Sequence, residues 1–115
     1  MIYALFQVAL GGAVGSALRF LTITAVGVPF GTFLVNVAGS FVMGVFFVSL
    51  SARFSPLLMT GVLGGFTTFS AFALDALKLS ESGQPAQALL YIAGSVLLSL
   101  AAVALGAALA RGAFA

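Results

Sequence analysis

The chain has 115 residues, 63% of them hydrophobic and 5% charged, with a net charge of +2 and a mean hydropathy of +1.30. Six charged side chains (Arg19, Arg53, Lys78, Arg111, Asp75 and Glu81) cannot clothe a soluble domain, whereas lipid tails accept an apolar surface. The small net charge and the lack of a basic run argue against a nucleic-acid partner. The absence of Cys and His removes disulfides, thiolate chemistry and the commonest base and metal ligand.

A hydrocarbon core of ~30 Å takes ~20 apolar residues per helix, so the length fits about four spans. Met1 leads straight into apolar sequence without a charged n-region, and no cleaved leader is expected. The first span is expected over residues 2–26, apolar except for Arg19, and Gly27-Val28-Pro29 breaks it. The second, residues 30–51, holds no charge and one amide, Asn36. The third, residues 57–77, ends at Asp75 and Lys78, a pair three apart that can meet at the interface. The polar stretch 79–85 then leads into the fourth, residues 86–110, closed by Arg111. The expected fold is an all-α integral membrane protein, one four-helix domain over residues 1–115, with short loops forcing neighbouring helices antiparallel.

Glycine and alanine recur at spacings of four: Gly11 and Gly15, Gly61 and Gly65, then Ala102, Gly106 and Ala110. Such faces let helix backbones approach in lipid; most of the weight falls on plain packing, and their density also favours self-association. Lys and Arg divide evenly, Arg53 and Arg111 on one side against Arg19 and Lys78 on the other. The positive-inside rule then sets almost no orientation, which suggests an antiparallel, dual-topology homodimer.

Asn36 needs its donors and acceptors paired in hydrocarbon; an interhelical hydrogen bond and a donor facing a polar path weigh equally. In the third span, Gly64-Gly65-Phe66-Thr67-Thr68-Phe69-Ser70-Ala71-Phe72 weakens the helix in mid-membrane. A break there frees carbonyls, tolerated only where protein, water or an ion meets them, and carbonyl oxygens suit a hard cation. Phe69 and Phe72 share a face; they are packing aromatics or, through their positive ring edges, the wall of an anion path. Tyr91, Ser95 and Ser99, four apart, form one hydroxyl stripe. Such serines often bond back to their own helix, or else supply rotating donors. Arg19 snorkels to the interface or sits at a vestibule.

Three segments resemble a known family. Gly11 to Phe20 is similar to the GGxxGxxxR signature of the Fluc (CrcB-like) fluoride channels, Gly31 to Phe41 to their GTxxxNxxGxF segment, and Gly64 to Phe72 to their GGxTTFSxF segment. The motifs lie in family order over residues 11–72, and length and helix count fit the whole chain. The resemblance implies a fluoride-selective passive channel of the cell inner membrane that exports fluoride and protects against its toxicity. It implies an inverted homodimer with two pores, each built from both subunits. Asn36 would be the pore amide and Phe69 and Phe72 the anion-facing rings, with Thr32, Ser70, Tyr91, Ser95 and Ser99 along or beside the polar track. Gly64 and Thr67 would offer backbone carbonyls to a structural Na⁺ at the dimer centre. Arg19 and Asp75 would lie at the vestibule and mouth. Asp75 stands where many members have Glu, and Ser16 where Ala is usual; neither is expected to touch the ion path.

A small multidrug-type antiporter would need a membrane-embedded carboxylate, and span one has none, leaving only Asp75 near a span end. A membrane scaffold explains the glycines but not Asn36 or the Thr-Thr-Phe-Ser break. An intramembrane enzyme would lack a group to activate a serine.

Overall fold

With no water in the bilayer core, each backbone N–H must find a carbonyl within its own segment, so long apolar runs close into helices. In the computed structural model, which describes residues 1–114, four apolar helical spans follow one another. Helix α1 is Ile2–Val26 and α2 is Phe30–Ser49. The third span, Pro56–Glu81, is in two pieces, α3 (residues 56–66) and α4 (Phe69–Glu81). Helix α5 is Pro85–Phe114.

The α1–α2 turn is tight because Gly27 adopts φ 90°, a left-handed value that a side chain would resist. Its N–H reaches the Ile23 carbonyl at 2.7 Å. Helix α2 stops two residues short of Ser51, because Leu50 and Ser51 are extended. The Ser51 hydroxyl accepts from Arg53 N–H at 3.3 Å and starts a single turn over Ala52–Phe54. Pro56 opens α3, where its missing N–H costs nothing. The third span continues past Leu77 and stops near Gly83, at φ 81°, so Asp75 lies a turn and a half inside the helix end.

Helix α1 packs on α3, and α2 on α5, through the small residues. A Cβ at Gly11 would fall 2.8 Å from Val62 N and 2.9 Å from Gly61 Cα, and one at Gly65 would fall 2.8 Å from the Gly12 carbonyl oxygen. A Cβ at Gly44 would meet Ala107 N at 2.8 Å, and one at Gly106 would meet the Phe41 carbonyl carbon at 3.1 Å. The glycine pairs are thus occupied within the chain as backbone-to-backbone contacts; they are not free faces for self-association. Phe6, Leu10, Phe20, Leu89, Leu90 and Leu97 are exposed, a surface that lipid covers. The protein is a multi-pass membrane protein.

The break in the third span is two residues long. Thr67 (ψ 158°) and Thr68 (φ −153°, ψ 121°) are extended, and the Thr68 hydroxyl caps α4 by accepting from Ala71 N–H at 3.1 Å. Thr67 keeps the end of α3 closed, donating to the Leu63 carbonyl from its N–H at 3.0 Å and from its hydroxyl at 2.9 Å.

Candidate functional site

Two side chains hold the break. The Asn36 amide of α2 meets both backbone groups of Thr68: Nδ2 donates to the Thr68 carbonyl at 2.9 Å and Oδ1 accepts from the Thr68 N–H at 2.7 Å. Because the backbone supplies one donor and one acceptor, the amide has only one orientation that satisfies both. Of the two amide N–H donors one is used, and the other is left for whatever approaches. Arg19 of α1 donates from Nε to the Gly65 carbonyl at 3.0 Å, just before the break. Its side chain therefore turns into the protein rather than snorkelling, because a freed carbonyl is the stronger attraction at that depth.

Beside the break lies a groove of about 420 Å³ between α2, the start of α4 and α5. It brings together Asn36, Thr67, Phe69, Phe72, Ser95 and Ser99 from the expected set. Ser95 is buried and its hydroxyl has no hydrogen-bond partner. Phe69 and Phe72 pack edge-to-face, centroids 5.4 Å apart and planes at 64°, so a ring edge is presented along the pair. Phe72 is buried, but Phe69 is 77% exposed: one chain leaves half of this aromatic wall bare.

The other expected residues lie elsewhere. Tyr91 packs at a tilt against Phe72, centroids 5.3 Å apart and planes at 46°, outside the groove, and lines a second pocket of about 340 Å³ with Pro29, Phe30 and Gln87. Its hydroxyl donates to Asp75 Oδ2 at 3.3 Å. Asp75 is buried and bonded to Tyr91, so the expected pairing with Lys78 and separation from the polar track do not hold. The helix carries it inward and Tyr91 gives it a partner. Thr32 is fully buried, its hydroxyl beside that of Tyr91 but outside good hydrogen-bond geometry. Ser70 is exposed, 3.4 Å from the Thr68 hydroxyl, and does not line the groove. Gly64 is exposed beside the break.

Thr68 of the expected break also lines the groove, as do Gly39, Ser40, Met43 and Val103, which are not among the expected site residues. Ser40 was within reach of the sequence reading, since it follows Asn36 by one helical turn. The role of Gly39 follows from packing alone: an added Cβ there would crowd Thr67. Among the described residues no three acidic side chains cluster to hold a metal.

What this arrangement can do is limited by its parts. It has amide and hydroxyl donors, aromatic edges and apolar walls, with no nucleophile–base pair. Such a lining can guide an anion.

The comparisons agree with that lining. The family model described as CrcB-like protein, Camphor Resistance (CrcB), matches residues 6–107. A protein of Cereibacter sphaeroides named "Fluoride-specific ion channel FluC" is 52% identical over 121 aligned positions, covering 97% of this chain and 98% of that one. Proteins of the same name from Paracoccus denitrificans, 52% identical with full coverage of both chains, and from Rhizobium etli, 50% identical over 92% of this chain and 94% of that one, are similar to the same degree. With all three motif segments inside the matched region and relatives aligned nearly end to end, the chain belongs to the CrcB-like family.

Proposed function

We propose that this chain forms a passive, fluoride-selective channel that exports fluoride across the cell inner membrane and so protects against fluoride toxicity. The observation that carries the reading is the groove: an amide N–H, hydroxyls and aromatic edges converge in a cleft without a cation in its lining. Fluoride is small and strongly hydrated, so a conducting path must replace its water with close donors. Asn36 offers its remaining N–H, Ser95 and Ser99 offer rotating hydroxyls, and Phe69 and Phe72 offer ring edges. The nearest fixed positive charge of α1, Arg19, is tied to the Gly65 carbonyl. An anion therefore meets no charge that would hold it, and conduction requires binding weak enough to leave.

The channel is read as a homodimer of two inverted copies, with two pores that each draw on both subunits. Exposed Phe69, Ser70 and Gly64 beside the break favour a second copy as their cover. The even division of Lys and Arg permits insertion in both orientations.

A structural Na⁺ at the dimer centre fits the carbonyls of Gly64 and Thr67. In an unbroken helix each would accept from the N–H four residues on. Thr68 N–H instead goes to Asn36 Oδ1, and Ala71 N–H to the Thr68 hydroxyl. Both carbonyls thus lose their helical donors, and hard-cation ligation would satisfy them. Gly64 and Thr67 would hold the ion through their carbonyls, and the ion would supply only electrostatic cohesion there.

Expression in cells whose own fluoride exporter has been deleted tests the reading. Restored growth on fluoride-containing medium, with intracellular fluoride falling, is expected. Growth no better than with empty vector, despite protein in the inner-membrane fraction, contradicts it.

A further inference from the structure

Serine and threonine hydroxyls in membrane helices ordinarily bond back to a carbonyl one turn earlier. In this protein Thr22 donates to the Leu18 carbonyl at 2.8 Å, Ser49 to the Val45 carbonyl at 2.7 Å and Thr67 to the Leu63 carbonyl at 2.9 Å. The serines that line the groove do otherwise; Ser16, Thr24, Thr60 and Ser80 also lack such a bond, and what sets Ser40, Ser95 and Ser99 apart is that their unused hydroxyls border the groove. Ser95 is buried with its hydroxyl unpartnered, and Ser40 and Ser99 form no hydrogen bond within the chain. A hydroxyl that leaves its own carbonyl unused, at membrane depth, is free to turn toward the cavity.

The helix register shows where Ser40 lies. Gly44 of α2 packs between Val103 and Ala107 of α5, and Gly106 packs against Phe41 and Val45. Both helices run the same way, since they are the second and fourth of four successive spans. Ser95 then stands level with about residue 33 of α2, and Ser99 with about residue 37, on the register of these contacts. Along the axis the order is Ser95, Asn36, Ser99, Ser40, over roughly 10 Å at 1.5 Å per residue. Past Ser40 the lining is Met43 and Val103, which offer no donor.

We infer that Ser40 is a further anion-binding hydroxyl, the last donor of the row, which takes the ion from Asn36 and Ser99 toward the Met43 end of the groove. The inference rests on the fluoride-pathway reading and adds a residue to it. Donors drawn from α2 and α5, with Asn36 and Ser99 nearly level and Ser95 and Ser40 about 4–5 Å to either side, let a dehydrated fluoride gain a new hydrogen bond before releasing the last. Removing the final one leaves a step into apolar lining with no donor ahead.

The test is fluoride efflux from liposomes holding the full chain, wild type beside Ser40→Ala, Ser40→Val and Ser40→Thr, with Ser49→Ala as the control for a hydroxyl committed to its own helix. Ser40→Ala and Ser40→Val are expected to slow efflux about tenfold or more, the lower end for one lost hydrogen bond to a charged group. Ser40→Thr, matched in volume to Val but keeping the hydroxyl, is expected within about twofold of wild type, the structural cost of an added methyl into open groove space being small. Ser49→Ala is expected at the wild-type rate. Equal rates for Ser40→Thr and Ser40→Val, or wild-type efflux from Ser40→Ala, overturn the inference while leaving the channel in place. A wild-type chain that passes no fluoride removes the pathway reading and this inference with it.

Discussion

Asn36 and Thr68 are joined by two hydrogen bonds, 2.9 Å from Nδ2 to the carbonyl and 2.7 Å from the N–H to Oδ1, so that a single side chain of α2 replaces the helix at the break of the third span. The same amide lines the groove with its remaining N–H. One residue thus shapes the path and faces it.

Asn36→Ala is therefore expected to abolish most fluoride efflux and to cost about 1–3 kcal/mol of stability, from the Thr68 N–H and carbonyl left unpaired. Gel filtration should still show the wild-type assembly, because the glycine contacts between α2 and α5 are untouched. Efflux from Asn36→Ala at the wild-type rate would exclude the amide from the path.

The Arg19–Gly65 bond predicts a structural role for this cation. Arg19→Ala is expected to lower stability in detergent by about 1.5–3 kcal/mol, the range for a hydrogen bond to a charged group. Arg19→Lys keeps the charge but loses the planar Nε geometry, and should recover only part of that. Full recovery with Lys would show that charge, rather than the bond at 3.0 Å, is what matters.

Glycine substitutions separate close contact from mere smallness. Gly44→Ala would put its Cβ 2.8 Å from the Ala107 backbone nitrogen and must push α2 from α5, at about 1–3 kcal/mol for overpacking. Gly94→Ala, in open space, should be neutral or slightly stabilising, since Gly costs a helix about 0.5–1 kcal/mol relative to Ala. Thermal unfolding in detergent checks both; equal effects would mean that α2 and α5 do not approach as described.

The long hydrogen bond from Tyr91 to Asp75 predicts asymmetry between two conservative changes. Asp75→Glu adds one methylene to a contact already at 3.3 Å and should leave efflux within a few-fold of wild type. Tyr91→Phe leaves the buried carboxyl without this donor and should cost about 1–3 kcal/mol. Complete loss of efflux in Asp75→Glu would contradict this placement of the carboxyl.

The four spans were legible because burial in lipid leaves one kind of signal, long apolar runs cut by Gly and Pro. The break at Thr67-Thr68 was also legible, from adjacent glycines and threonines that suit a helix poorly. Asp75 was misplaced because charge alone marked it as a helix end; the helix runs on to Glu81, and the stop belongs to Gly83. Arg19 could not be assigned, since its partner is a backbone carbonyl that exists only once the third span has broken. Nor did the glycine spacing reveal its partners: Gly11 and Gly15 meet the third span of their own chain, a long-range fact that periodicity does not carry. The hydroxyl stripe proved to be divided, with Tyr91 held at Asp75 and only Ser95 and Ser99 in the groove.

The central claim is tested most directly by anion efflux from liposomes containing the purified protein, fluoride against chloride, with a potassium ionophore to clear the voltage. Fast fluoride release with little chloride release is predicted. Retention of fluoride by liposomes holding folded, dimeric protein, or equal release of both ions, would contradict a fluoride-selective channel.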